Sequence, residues 1–149
     1  MKIFAVLPVS IVLVGILFCP MVRAAPPIPD FVQIVAPDPS LPKELSAFFG
    51  KYEGFNNPFK YFVIVAQIDK EKAVLHIWRD CANSQSPMAR FNGWETIDAQ
   101  VFKERGEYQL WYRSRAVQGV GSGGSEAVLQ GTYLHLRSPN GAVRLSRAH

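Results

Sequence analysis

The sequence predicts an all-β fold: a single up-and-down antiparallel barrel or half-barrel preceded by a short helix. Two observations carry the prediction. From Lys60 to the C-terminus, runs rich in β-branched and aromatic residues recur, separated by short polar or glycine-bearing breaks. Where the alternation is cleanest, between Trp94 and Phe102, Ile97, Ala99 and Val101 fall on one face and Thr96, Asp98 and Gln100 on the other. A meander of such strands leaves two open edges unless it curls and closes on itself.

The N-terminal residues stand apart from that pattern. Lys2, the apolar run from Ile3 to Met21 and the Val22-Arg23-Ala24 site read as a secretory signal peptide covering residues 1–24. Pro8, Pro20 and the cleavage site argue against an uncleaved anchor, so no stable membrane span is expected after cleavage. Residues 25–149 then make one domain, enough to enclose one core. Loss of Lys2 and Arg23 halves the formal net charge of +4. The remaining basic residues are interspersed with acids, as in Asp69-Lys70-Glu71-Lys72, and no basic stripe invites nucleic acid. Cleavage also removes Cys19 and leaves Cys81 alone, which excludes an internal disulfide. Cys81 is then buried, free and reactive, or paired between chains.

Residues 25–41 form a proline-rich extended lead, with prolines at 26, 27, 29, 37 and 39 that remove backbone donors and fix φ. Its apolar patch from Phe31 to Val35 is expected to dock on the domain as an edge strand. Residues 42–149 form the barrel domain. Pro42 suits a first helical turn, and Leu41, Leu45, Phe48 and Phe49 share one face at i, i+4, i+7 and i+8. Gly50 stops that helix, and a first strand follows.

Lys60 to Ile68 and Ala73 to Arg79 then make a hairpin across Asp69 to Lys72. Trp94 to Phe102 and Tyr108 to Arg113 make a second across Lys103 to Gly106. Gln118 to Ser125 is a glycine-serine loop. Ala127 to Arg137 reads as one strand with a bulge at Gly131, because the apolar parity switches between Leu129 and Leu134. It pairs with Ala142 to Arg147, giving about seven strands in all.

The stretch Phe48-Phe49-Gly50-Lys51-Tyr52-Glu53-Gly54-Phe55, after a short helix and before a meander whose last strand bears arginines, resembles the calycin group, which includes lipocalins, avidins and fatty-acid-binding proteins. It is similar in particular to exported bacterial domains of lipocalin-like type. The position where that family carries tryptophan is Tyr52 here, and the lipocalin cysteine pair is absent. The resemblance implies that Gly50, Tyr52 and Gly54 close one end of a barrel against Arg144 or Arg147.

Barrels of about eight strands have interiors just wide enough for one small ligand. Phe62, His76, Trp78, Trp94, Tyr108 and Tyr112 are the candidate lining of such a cavity. The expected function is that of a secreted or periplasmic, non-enzymatic binding protein for a small hydrophobic ligand. One alternative is a filled barrel acting on a protein partner as an interaction or inhibitor module. Another is a haem-binding barrel, which some calycin-like proteins suggest through a late histidine, loosely matched by His135.

Enzyme signals are thin. The sequence has no nucleophile elbow, no HExxH and no paired His/Cys metal spacing, so no catalytic residue, metal or cofactor is assigned. His76 with Asp80 and Cys81 is the best catalytic grouping, but His76 and Cys81 have opposite strand parity and would need a kink at Asp80 to meet. The export reading has a direct check: the intact mass of the exported protein should correspond to a chain beginning at Ala25. A mature protein that still carries residues 1–24 would overturn it.

Overall fold

The computed structural model describes residues 25–82, 85–114, 124–139 and 141–149. The expected signal peptide and most of the glycine-serine loop lie outside these residues. After the lead, a four-residue helix α1 (Lys43–Ser46) precedes eight strands: β1 (Gly50–Asn56), β2 (Phe59–Ile68), β3 (Lys72–Cys81), β4 (Gly93–Glu104), β5 (Glu107–Tyr112), β6 (Ser125–Gln130), β7 (Tyr133–Ser138) and β8 (Gly141–Arg147). Each pairs antiparallel with the next, and β1 pairs with β8, so the sheet is a closed barrel.

The stretch expected as one bulged strand from Ala127 to Arg137 is instead a hairpin. Gln130 pairs with Tyr133 across a two-residue turn, Gly131-Thr132, and Gly131 has φ +61°, the region that a tight hairpin turn needs. The parity switch at Gly131 marks this turn rather than a bulge. The correction raises the strand count from seven to eight. In an up-and-down meander only an even number lets the first and last strands meet antiparallel, so this turn decides whether the barrel can close.

A bulge does occur, in β2. Val65 pairs with Leu75 and Gln67 with Val74, which leaves Ala66 as the extra residue. Its carbonyl accepts the Val35 N–H of the lead at 2.8 Å. The lead thus docks on the outside of the barrel as an extended strap, without forming the edge strand expected of it.

Inward-facing side chains join in one core that includes Tyr52, Val63, Leu75, Ile97, Leu110, Leu134 and Leu145. At the end where β2–β3, β4–β5 and β6–β7 are linked, Leu41, Leu45 and Phe48 from the helical segment complete that core. This end is the floor. The Tyr52 hydroxyl donates to the Phe48 carbonyl at 2.9 Å and accepts from Arg147 Nη2 at 3.0 Å. Arg147 Nη2 also donates to the Ala47 carbonyl at 2.7 Å, and its guanidinium carbon lies 5.2 Å from the Tyr52 ring centre.

Both glycines of the motif are explained by close approach. A Cβ on Gly54 would come within 2.6 Å of the Arg144 carbonyl, and one on Gly50, which has φ +139°, would lie 3.0 Å from Arg147 Nη1. Of the two arginines considered for the floor, Arg147 is the one on Tyr52. The Arg144 side chain lies on the outer surface, 4.7 Å from the Tyr133 ring centre.

Because the Tyr52 ring is fully buried, Tyr52→Ala should lower unfolding free energy by about 3–5 kcal/mol, as large aromatic truncations in cores do. A loss below about 1 kcal/mol in denaturant unfolding would show that the floor does not depend on this ring.

Candidate functional site

Strand alternation assigns each sequence-predicted lining residue to a side of the wall. Tyr61, Val63 and Val65 face the core, so Phe62 and Ile64 on the same strand face out. Trp78 sits opposite both Phe62 and Trp94, and His76 opposite Ile64 and Thr96. Directly paired residues share a face, so Phe62, His76, Trp78 and Trp94 form one outer cluster and do not line the lumen. They do meet one another: the Phe62 and Trp94 rings stand edge to face with centres 6.1 Å apart.

The outer cluster is apolar because the lead covers part of it. Val32 packs there, and the Phe31 ring centre is 6.0 Å from that of His76. His76 is only 4% exposed and its Nδ1 is 3.0 Å from Thr96 Oγ1. His76 and Cys81 lie on opposite faces of β3, and Cys81 is buried among the inward residues and in no disulfide. The catalytic grouping considered from sequence is therefore not assembled. His135, paired with Val128 and Arg144, also faces outward. Among the described residues, no group of three or more His, Cys, Asp or Glu side chains could hold a metal ion.

Tyr108 and Tyr112 do face inward, at opposite ends of β5. Tyr108 is at the floor, beside a cleft of about 270 Å³ that it shares with Glu44, Phe48 and Leu129. Tyr112 is near the other end, the mouth, where β1–β2, β3–β4, β5–β6 and β7–β8 are joined. Here the core turns polar. Arg79, in register with the inward-facing Leu75 and Ile77, is 1% exposed. Its guanidinium carbon lies 4.9 Å from the Phe59 ring centre and 5.4 Å from that of Phe91, which belongs to a short 3₁₀ turn, Pro87–Phe91, over the mouth. Arg79 also hydrogen-bonds the Tyr61 side chain. Across the mouth, Ser114 Oγ donates to Glu95 Oε2 at 2.9 Å.

Between these two groups are Tyr112 and Ser125, cross-strand partners with fully buried side chains. Neither the Tyr112 hydroxyl nor Ser125 Oγ has a hydrogen-bond partner among the described residues. Burial pushes the Tyr112 phenol well above its ordinary pKa, and the neighbouring Tyr61 and Glu95 push it the same way. It is therefore a protonated donor at neutral pH. A buried hydroxyl left unpaired costs roughly 1–3 kcal/mol, so two on facing positions are a departure from ordinary core construction.

Of the mouth residues, sequence reasoning singled out Tyr112 and missed Tyr61, Arg79, Glu95 and Ser125. A signal was present. Ala73, Leu75 and Ile77 are the purely aliphatic face of β3, and Arg79 continues that face.

Comparison with family models, with curated proteins and with solved structures finds no match for this chain. The closed eight-stranded up-and-down barrel is the architecture that the calycin resemblance implies, and the comparisons add no family to it.

The lead's contact with His76 has a pH consequence. Burial lowers the His76 pKa below its ordinary 6.5, so the folded state resists protonation. Well above pH 6.5 the ring is neutral whether the chain is folded or not, and its contribution is constant. As pH falls below 6.5 the unfolded chain takes up the proton first, and stability declines until the folded ring is protonated too. His135 is shifted in the same direction by its own burial, with Arg137 and Arg144 adding to it. Unfolding free energy should therefore decline as pH falls through 6.5, and His76→Phe should reduce that slope. An unchanged slope in the variant would show that His76 is not the linked group.

Proposed function

We propose that this chain is an exported, non-enzymatic binding protein of calycin-like type that takes one small, largely apolar molecule into the mouth end of its barrel. The observation that carries this reading is the facing pair Tyr112 and Ser125, two buried hydroxyls without partners among the described residues, at the polar end of an otherwise apolar interior. A fold that serves only as a packed scaffold gains nothing from leaving them so, whereas a site built to recognise a ligand group must keep such groups available. The surroundings suit this role. Tyr61 and Arg79 are tied together, Ser114 holds Glu95, and the apolar core begins directly below with Leu110 and Ala127. Phe55, 65% exposed near the β1–β2 turn, leaves an apolar ring on the rim where a ligand would arrive.

No chemistry is assigned to the site. A protein-binding role is the second reading. It is favoured by the strap, whose Ile28, Phe31, Ile34 and Val35 are exposed large apolar residues along one extended segment. Under that reading Phe31→Ser with Ile34→Ser would abolish a partner contact and leave small-molecule binding intact.

Native mass spectrometry of the protein recovered from its own cells should show a stoichiometric small-molecule adduct. Added back at one hundred times its Kd, that molecule should stabilise the fold by about 2.7 kcal/mol. An unliganded mass alone, with no thermal shift from the lipid-extractable fraction of the same cells, would overturn the binding reading.

A further inference from the structure

We infer that the group recognised at the mouth is an uncharged hydrogen-bond acceptor, such as a ketone, ester or amide carbonyl, received by the Tyr112 and Ser125 hydroxyls together. The inference rests on the binding reading above and specifies its ligand class. Three observations lead to it.

The first is the pairing. Tyr112 and Ser125 are directly opposite in the β5–β6 ladder, both buried and both without a partner among the described residues. A carbonyl oxygen has two lone pairs, so it can accept from two donors at once.

The second is the state of the donors. The Tyr112 phenol is held protonated by burial and by its neighbours, and serine does not ionise, so the pair presents two hydroxyl donors across the neutral pH range.

The third is the charge around them. Among the described residues the mouth brings together a buried cation, Arg79, and a carboxylate, Glu95. The guanidinium is engaged by Tyr61 and by the rings of Phe59 and Phe91. The carboxylate accepts from Ser114 and is close enough to oppose ionisation of Tyr112. A ligand carboxylate placed between Tyr112 and Ser125 would therefore meet the Glu95 charge. A ligand ammonium would carry its charge into the interior that holds Arg79. Either would bring a third charge into a site whose two charges offset each other, and an extra buried charge costs far more than a neutral dipole. A neutral acceptor meets both hydroxyls without that cost.

The test uses four unbranched compounds of six or seven carbons, hexane, 2-heptanone, heptanoate and heptylammonium, titrated against the full-length mature protein at pH 7.4. The ketone should bind about tenfold more tightly than hexane, as one or two net hydrogen bonds allow. Heptanoate and heptylammonium should each bind at least about tenfold more weakly than the ketone. Tyr112→Phe and Ser125→Ala should each cost the ketone about fivefold and leave hexane unchanged. Neither variant should lower the melting temperature, because each removes an unpaired buried hydroxyl and no existing bond.

Equal affinity for hexane and 2-heptanone would overturn the acceptor class and leave the binding reading standing, as would tightest binding by either charged compound. A drop in melting temperature in both variants, with no compound bound by the parent protein, would show that the hydroxyls hold only buried water. That result would remove the site itself, and with it the binding reading.

Discussion

The fold depends on one meeting of strands. β1 and β8 come together with Tyr52 opposite Arg147, and only because Gly54 has no side chain can the Arg144–Leu145 backbone lie so close to β1. Closure there removes both edges of the sheet, so every strand has two neighbours. The same contact finishes the floor. Arg147 reaches Ala47 and Tyr52, Tyr52 reaches Phe48, and the helical segment is thereby fixed as a plug beneath the core. A motif that could be mistaken for a ligand loop is thus the seam of the barrel.

The two ends use the same residue types to opposite effect. At the floor, the Tyr52 hydroxyl is donor and acceptor in a satisfied network with an arginine. At the mouth, Arg79 is fully buried and lies against two aromatic rings, yet the Tyr112 hydroxyl beyond it has no partner among the described residues. Unpaired hydroxyls forgo stability of the order of 1–3 kcal/mol each. The satisfied floor and the continuous apolar core are what allow the mouth to tolerate that loss, a division common where a binding site is set into a stable frame.

The outer wall follows a different logic. β2 is apolar on both faces, which a barrel exposed to water on its outside would not require. The strap supplies the reason. Val32 covers the Phe62–Trp94 cluster, and the bulged Ala66 turns a carbonyl outward to receive the Val35 N–H. The lead is therefore part of the domain's packing, although its prolines keep it from joining the sheet. Its own outward side chains remain apolar and exposed.

Much of the architecture was determined locally and could be read from the residues alone. β-branched runs, turn residues and the Leu41, Leu45, Phe48 spacing define the meander and its leading helix, because strand and turn preferences are properties of neighbouring residues. Even the side on which Trp94 lies was implicit. It has the parity of Thr96, Asp98 and Gln100, the polar face of β4, and its pairing with Trp78 carries that orientation to Trp78 and His76. What obscured it was that both faces of β2 and β3 are apolar, so hydrophobicity alone could not say which was inside. Only the tertiary structure decided that, by laying the strap over one face and closing eight strands around the other. It also decided which arginine meets Tyr52, and that Tyr61, Arg79, Glu95, Tyr112 and Ser125 converge at one end. Those residues are dispersed over five strands and their flanks, and no spacing along the chain encodes a register that only barrel closure fixes.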